Sequence, residues 1–483
     1  MANTFLWYDL ETFGRDPRWD RIAQFAAIRT DLDLEPVSDP IVLYGRISPD
    51  YLPDPEACLI TGLTPRRTAR EGLVEAELAR QLYQHMSVPG TCSAGFNSIR
   101  FDDEFVRNLF YRSFLDPYRR EYAEGNSRWD VLNLARMAHD LRPEGISWQY
   151  DQEGVPQFRL ESLTAANGID HTGAHEALAD VEATIALARL IRQHQPRLFD
   201  YYLSLRSKDA VRRLVNLEEP RPLVLTSSLF TRPGGCTTVV WPLTVHPDRS
   251  NEVIVFDLRE DPQPLWELPV DEIRRRTFTS RENLGDQTRI PLTGLAVNRI
   301  PAVSPLSALS SEAAQRLQID IAQVTERAHA LAAHPELATR IRRVYSAPDH
   351  RESYADPDLG IYSGGFFGDA DRIVFESIHH STPEELTERP PSFSDPRGPE
   401  MLRRYLGRNY PHVLTGDAQR QWQRFCARRL LAPEYEKAQD FGNYRRRIRA
   451  LQDRPERTPR EIAVLRDLLD YAQWLETNVL AAE

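Results

Sequence analysis

The chain has 483 residues, of which 41% are hydrophobic and 27% charged, with a formal net charge of −11. That length exceeds what one core supports, so two to four domains are expected. The composition is that of a globular chain and not of a disordered one, and no apolar run approaches the ~20 residues that cross a bilayer, which argues against a membrane protein.

The chain starts Met1-Ala2-Asn3-Thr4-Phe5-Leu6-Trp7-Tyr8-Asp9, with neither a basic segment nor a following apolar stretch, so no export signal is expected. Residues 5–10, 24–28 and 41–47 read as three strands. Residues 74–86 have helical spacing, 92–96 read as a short strand leading into a helix over 103–114, and 129–141 and 176–193 read as amphipathic helices. Strands first, with helices interleaved afterwards, predict an α/β layer with a mixed sheet over residues 1–190. From about Pro196 the texture becomes β-rich between proline turns, with 253–258 the clearest strand, and a helical stretch over 311–344 closes that region. After a turn-rich 346–363 the remainder is mostly helical, over 399–406, 417–431, 434–453 and 459–481, with a loop at Arg389-Pro390-Pro391. Three domains fit best, at 1–190, 196–349 and 352–483. Cys58, Cys92, Cys236 and Cys426 lack zinc-ligand or redox spacing, which predicts reduced thiols in a cytoplasmic protein.

The acidic balance argues mildly against a nucleic-acid partner, but binding depends on a local basic surface, and acids that hold cations add to the negative sum. Asp9-Leu10-Glu11 ends the first strand. Residues two apart on a strand share a face, so both carboxylates can address one site while Leu10 enters the core. Two neighbouring buried carboxylates need cations, and hard oxygen ligands favour Mg²⁺ or Mn²⁺; the plain alternative is an exposed strand terminus. Asn97-Ser98-Ile99-Arg100-Phe101-Asp102-Asp103 puts acids at the mouth of a helix, where capping is the competing role. His175-Glu176-Ala177-Leu178-Ala179-Asp180 opens another helix, on which alanines allow close approach to a sheet and so bring Asp180 towards Asp9 and Glu11; His175 alone reads more readily as a cap or a surface group.

In this order, Asp-x-Glu, Asn-x-x-x-Phe-Asp and His-x-x-x-x-Asp resemble the DnaQ-like exonuclease superfamily of the type with four acids and a histidine. Residues 5–29, Leu59-Ile60-Thr61-Gly62-Leu63-Thr64-Pro65, 100–118, Asn126-Ser127-Arg128-Trp129-Asp130, Leu141-Arg142-Pro143-Glu144-Gly145-Ile146 and Gln195-Pro196-Arg197-Leu198-Phe199-Asp200-Tyr201 resemble the bacterial exonuclease I family more specifically. Gly365-Phe366-Phe367-Gly368-Asp369 and Arg408-Asn409-Tyr410-Pro411 extend the likeness more thinly. The resemblance implies a ribonuclease H-like exonuclease domain, then an SH3-like β-rich domain and a helical C-terminal domain, together surrounding single-stranded DNA.

It also implies 3′–5′ hydrolysis to deoxynucleoside 5′-monophosphates, in DNA repair and recombination, by two Mg²⁺ ions ~3.5–4 Å apart, with Mn²⁺ as an alternative. Asp9, Glu11 and Asp180 are the expected ligands of the first ion, Asp9 and Asp102 of the second, and His175 the general base. Arg159 matches the family's arginine near the terminal nucleotide, where Glu11 also contributes. Arg107, Tyr118, Tyr122, Arg136 and Lys208 match positions along the DNA path, with Tyr122 standing where a tryptophan is expected. Arg142 and Tyr201 are expected to receive the acidic, hydrophobic C-terminal tail of single-strand-binding protein, and a monomer is the family expectation. The competing readings are a DnaQ-like RNase or proofreading subunit, which needs only the first ~190 residues, and a DNA-binding scaffold without catalysis.

Overall fold

The computed structural model describes residues 3–173, 176–346 and 356–482. Its first sheet consists of β1 (Thr4–Thr12), β2 (Ile22–Thr30), β3 (Ile41–Tyr44), β4 (Thr91–Gly95) and β5 (Ser127–Asp130). The spatial order is β3-β2-β1-β4-β5. β1 and β2, and β2 and β3, are antiparallel, whereas β1 and β4, and β4 and β5, are parallel. This is the mixed sheet that strands first and helices later imply. β1 is apolar along most of its length because both faces are covered: Phe5 and Trp7 enter one apolar cluster, and Leu6, Tyr8 and Leu10 another.

Residues 129–141 do not form one helix. Ser127–Asp130 is a strand, and the helix starts at Val131 and runs to Leu141. A four-residue strand buried from Arg128 onwards shows no alternation, so its Trp129 and the following Val131 mimic the start of an apolar helix face.

A hairpin of β6 (Gln149–Tyr150) and β7 (Pro156–Gln157) precedes the long helix Ala177–His194. The β-rich region begins later than Pro196: helices Pro196–Ser204 and Lys208–Leu214 come first. The second sheet then follows, with β8 (Leu223–Thr226), β9 (Thr237–Val245), β10 (Glu252–Asp257), β11 (Leu292–Ala296) and β12 (Ala302–Pro305). It is antiparallel throughout, in the order β11-β10-β9-β8-β12. The expected helical stretch over 311–344 divides into Ser311–Arg316, Ile321–Ala332 and Leu337–Tyr345. In the last part, helix Asp369–His380 was not anticipated, and the helix expected over 434–453 begins only at Phe441.

The first unit shares apolar cores with both others. Phe5 and Trp7 belong to the same cluster as Val239, Ile254 and Ile341. Phe13, Trp19 and Tyr51 belong with Leu402, Phe425 and Leu465. All four cysteines are free and buried. Among the described residues, no helix is long and apolar enough to cross a membrane.

Candidate active site

Asp9 and Glu11 project from the face of β1 opposite Leu10, and helix Ala177–His194 packs on that face. Its Ala177, Ala183 and Ala188 are buried, and this small-residue surface lets the helix come close to the sheet. Asp180 is thereby delivered to the strand: one carboxylate oxygen each from Asp9, Glu11 and Asp180 lie within 4.8 Å of one another. No second acid of this helix is needed for that geometry.

Asp102 arrives from the other side of the sheet centre. β4 runs parallel to β1 and leads to a tight turn before helix Asp102–Arg112. Gly95 allows the turn, because a Cβ there would stand 2.8 Å from both the Tyr8 carbonyl oxygen and the Ser98 side chain. Asp130, at the end of β5, holds the turn in place. Its carboxylate accepts the Asn97 N–H at 3.0 Å and the Ile99 N–H at 3.3 Å, and caps its own helix through the Leu132 N–H at 2.9 Å. Sequence reasoning gave Asp130 no role.

The acids raise one another's pKa. Burial and then the charges of Asp102 and Asp180 push Asp9 well above the ordinary carboxylate range. Burial, then Asp9 and Asp180, raise Glu11 to about 9. Burial, then Asp103, raise Asp102, and its buried Oδ1 has no hydrogen-bond partner among the described residues. Such a set is poorly matched to water or to its own neighbours and well matched to hard divalent cations, which neutralise the charge and satisfy the orphan oxygen. The residues present therefore fit the metal centre.

Asp103, next to Asp102, has a different role. Its Oδ1 accepts from the Tyr8 hydroxyl at 2.6 Å and from Arg120 at 2.5 Å, and its Oδ2 accepts from Arg128 at 2.7 Å. Against the cost of burial, the two guanidiniums hold its carboxyl well below the usual range. One aspartate of the pair is thus locked into the protein and the other left facing the cluster, a distinction the dipeptide itself conceals.

His175 lies outside the described residues. A second histidine, absent from the sequence-derived set, touches the site: His171 Nε2 is 2.5 Å from Asp180 Oδ1, and its Nδ1 is 3.2 Å from the Thr164 hydroxyl. No spacing signal marked it, since it sits on a loop nine residues before its partner.

Four of the expected DNA-path residues, Arg107, Tyr118, Tyr122 and Lys208, line one groove of about 830 Å³, together with Arg206, Arg212 and Arg299 from the second unit and Tyr362 from the third. The groove is locally basic in a chain whose overall charge is negative. Arg107 is not a free cation within it. Its Nε and Nη2 donate to Glu121 at 2.7 and 2.8 Å, and its Nη1 donates to Glu104 at 2.7 Å. Arg136 and Arg159 are elsewhere: Arg136 lies over the Phe158 ring, and Arg159 is exposed at the start of helix Leu160–Ala166. Arg142 and Tyr201 together line a separate cavity of about 390 Å³, walled by Met137, Leu141 and Leu198.

Known proteins resemble this chain over its full extent. A family model described as an exonuclease matches residues 6–188, the exonuclease I SH3-like domain matches 206–347, and the exonuclease I C-terminal domain matches 355–475. Exodeoxyribonuclease I of Escherichia coli (strain K12) is 38% identical over 473 residues, covering 98% of both chains. The solved structure of a moderately thermophilic exonuclease I from Methylocaldum szegediense matches with a TM-score of 0.92 at 43% identity, over 98% of this chain and 100% of that one. The zinc-bound form of E. coli exonuclease I in complex with single-stranded DNA matches with a TM-score of 0.92 at 38% identity, again over 98% and 100%.

Proposed function

The chain belongs to the exonuclease I family, and on that premise we propose that it hydrolyses single-stranded DNA from the 3′ end with Mg²⁺, releasing deoxynucleoside 5′-monophosphates. The observation that carries this reading is the convergence of Asp9, Glu11 and Asp180 within 4.8 Å, with Asp102 raising the pKa of Asp9 by its charge. Mn²⁺ would satisfy the same oxygen ligands. Asp9, Glu11 and Asp180 would hold one ion, and Asp9 with Asp102 the other. Bound there, the pair would supply a water of lowered pKa and neutralise charge building up on the scissile phosphate.

The protein's own groups do the remainder. His175 would take the proton from the attacking water as general base. His171 holds the orientation of Asp180 through its Nε2. Arg159 and Glu11 would position the terminal nucleotide. Tyr118 and Tyr122 offer ring faces for stacking, with Lys208 and the second unit's arginines beneath the phosphates; stacking on rings with charge along the backbone gives strand preference without sequence preference. Arg136, its guanidinium over the Phe158 ring, would act on the strand through that ring and the adjacent Arg159.

On this reading residues 1–190 carry the chemistry, and 196–349 and 352–483 hold the strand. The cavity at Arg142 and Tyr201 fits an acidic, hydrophobic peptide end, such as the tail of single-strand-binding protein, because it pairs apolar walls with a guanidinium. The buried free thiols suit a reducing, cytoplasmic setting, and a monomer acting in DNA repair and recombination is what the family likeness suggests.

Digestion of 5′-labelled oligonucleotides tests the whole reading. We expect a shortening ladder on single-stranded DNA alone, abolished by chelation and by Asp180→Ala at saturating Mg²⁺. Near-normal turnover of that variant would remove the metal assignment, and a ladder on duplex or RNA would remove the substrate assignment.

A further inference from the structure

The last turn of helix Val131–Leu141 buries two polar side chains, His139 and Asp140, that the hydrolysis itself does not use. Asp140 turns to the second sheet, where its Oδ2 accepts the Cys236 N–H at 2.8 Å and the Thr237 hydroxyl at 2.5 Å. Glycine at 235 leaves the carboxylate room, because a Cβ there would stand 2.5 Å from its Oδ1. That Oδ1 accepts from His139 Nδ1 at 2.6 Å. With the proton kept on Nδ1 by the carboxylate, Nε2 becomes the acceptor for the Tyr150 hydroxyl, 3.0 Å away. Tyr150 lies on β6, and the paired β7 runs directly into Phe158-Arg159. The imidazole also meets Phe158 itself at right angles, with centroids 5.4 Å apart. Arg136, three residues before His139 and so on the same helix face, has its guanidinium 5.8 Å from the centre of that ring. One helix face thus grips the segment that presents Arg159. A buried carboxylate repays its desolvation only in part, and an apolar residue often serves stability as well; what its hydrogen bonds add is direction.

We propose that His139, oriented by Asp140, is a positioning residue for the hydrolysis: it fixes the Phe158-Arg159 segment against helix Val131–Leu141, and with it the arginine at the terminal nucleotide. The inference rests on the reading that Arg159 positions that nucleotide. The contacts run from β9 through Asp140 and His139 to Phe158 and Tyr150. The second sheet therefore sets the geometry of a nucleotide-holding group that belongs to the first unit.

The test is a double-mutant cycle on oligo(dT) digestion, with the wild type, His139→Phe, Arg159→Ala and the two combined, alongside strand affinity measured without divalent cation. His139→Phe keeps a ring in the core and removes both nitrogens. Its kcat should fall by up to about 100-fold, the scale of a misplaced reacting group, with strand affinity unchanged. In the Arg159→Ala background the same substitution should cost no further activity, because the group it positions is gone. Tyr150→Phe deletes one hydroxyl at a half-exposed position and so spares the core. It should lower kcat by about 2- to 10-fold, the worth of one hydrogen bond, and this loss too should vanish without Arg159. The tyrosine cycle decides the matter even where His139→Phe melts early. Equal losses with and without Arg159 overturn the proposal, as does wild-type kcat in both single variants at 139 and 150. Strand affinity that falls as far as kcat/KM also overturns it and leaves the network a role in folding alone. Wild-type kcat in Arg159→Ala by itself overturns the reading of Arg159, and the proposal falls with it.

Discussion

At the level of single residues, the acids were legible because their chemistry fixes their spacing. Two carboxylates on alternate strand positions must share a face, and an aspartate one turn into an alanine-lined helix must approach whatever that helix packs on. The residues that support them carried no such mark, since His171 and Glu121 act through partners brought near only by folding. His171 is expected to be a positioning residue: His171→Ala should lower activity or metal affinity by about 10–100-fold, the usual loss when a group orienting a metal ligand is removed, while DNA binding is kept. An unchanged metal titration would count against that role. Arg107 and Lys208, both legible only through the family's likeness, should behave differently from each other. Arg107 has every guanidinium nitrogen committed to Glu104 or Glu121 and is buried, whereas Lys208 lines the groove without such partners among the described residues. Lys208→Ala should flatten the dependence of log affinity on log salt by about 0.7, the value for one phosphate contact on a single strand. Arg107→Ala should leave that slope alone and instead cost stability, about 1.5–3 kcal/mol, because Glu121 and Glu104 lose their closest cation and keep only Arg128 at 3.1 Å and Arg299 at 3.5 Å. A slope change in the arginine variant would show that a phosphate displaces Glu121 during binding.

Secondary-structure elements were readable where periodicity had room to show. β1, β2 and the helix Ala177–His194 are long, and their patterns survive in the sequence. β5 is four residues long and is followed at once by a helix, so neither period could be expressed within it. The helical stretch over 311–344 was legible as one piece but not in its division into three helices, and the two short helices before the second sheet carried no legible signal. That β5 escaped notice matters for the site, because its last residue, Asp130, fixes the turn from which Asp102 emerges. Burial raises the pKa of Asp130 to about 6 against the pull of three backbone N–H donors. Removing the carboxylate orphans those donors, so Asp130→Ala should lower stability by about 2–4 kcal/mol, combining a lost cap with unsatisfied buried amides. It should also reduce turnover by letting Asp102 move. Asp130→Asn keeps an acceptor oxygen and should recover most of both. Denaturant midpoints and kcat measured on the two variants separate the cases; equal losses would mean that the charge, rather than the anchoring of the turn, is what matters.

For the molecule as a whole, the seam between the first unit and the C-terminal helices is charged as well as apolar, a feature no local sequence pattern discloses. Asp50, on the loop after β3, accepts from Arg408 at 2.9 and 3.0 Å, and Arg408 also donates to Asp358 at 2.6 Å. Arg404 donates to Asp358 at 2.9 Å, and Arg429 donates to Asp356 at 2.9 Å. Asp50 and Arg408 are 358 residues apart in the chain, and the groups of this network are nearly all inaccessible to water. Burial alone would raise Asp50 and Asp358, but Arg408 and Arg429, with Arg21 at Asp50 and Arg404 at Asp358, hold both carboxyls below their ordinary range. A folded-state pKa below the unfolded ~3.9 means the folded protein keeps the charge to lower pH. The resulting stabilisation is complete above about pH 5 and is lost as the pH falls below 4. Removing Arg408 takes the nearest cation from Asp50, whose next is Arg429 at 3.6 Å, and leaves Asp358 chiefly to Arg404, so Arg408→Ala should cost about 3 kcal/mol at neutral pH. Asp50→Asn should begin from lower stability and show a shallower decline between pH 5 and pH 2 than the wild type, when urea midpoints are followed across that range. Parallel curves for the two proteins would mean that the seam is held by Trp19, Phe425 and their apolar neighbours, and that the ions serve only to set the register in which the units meet.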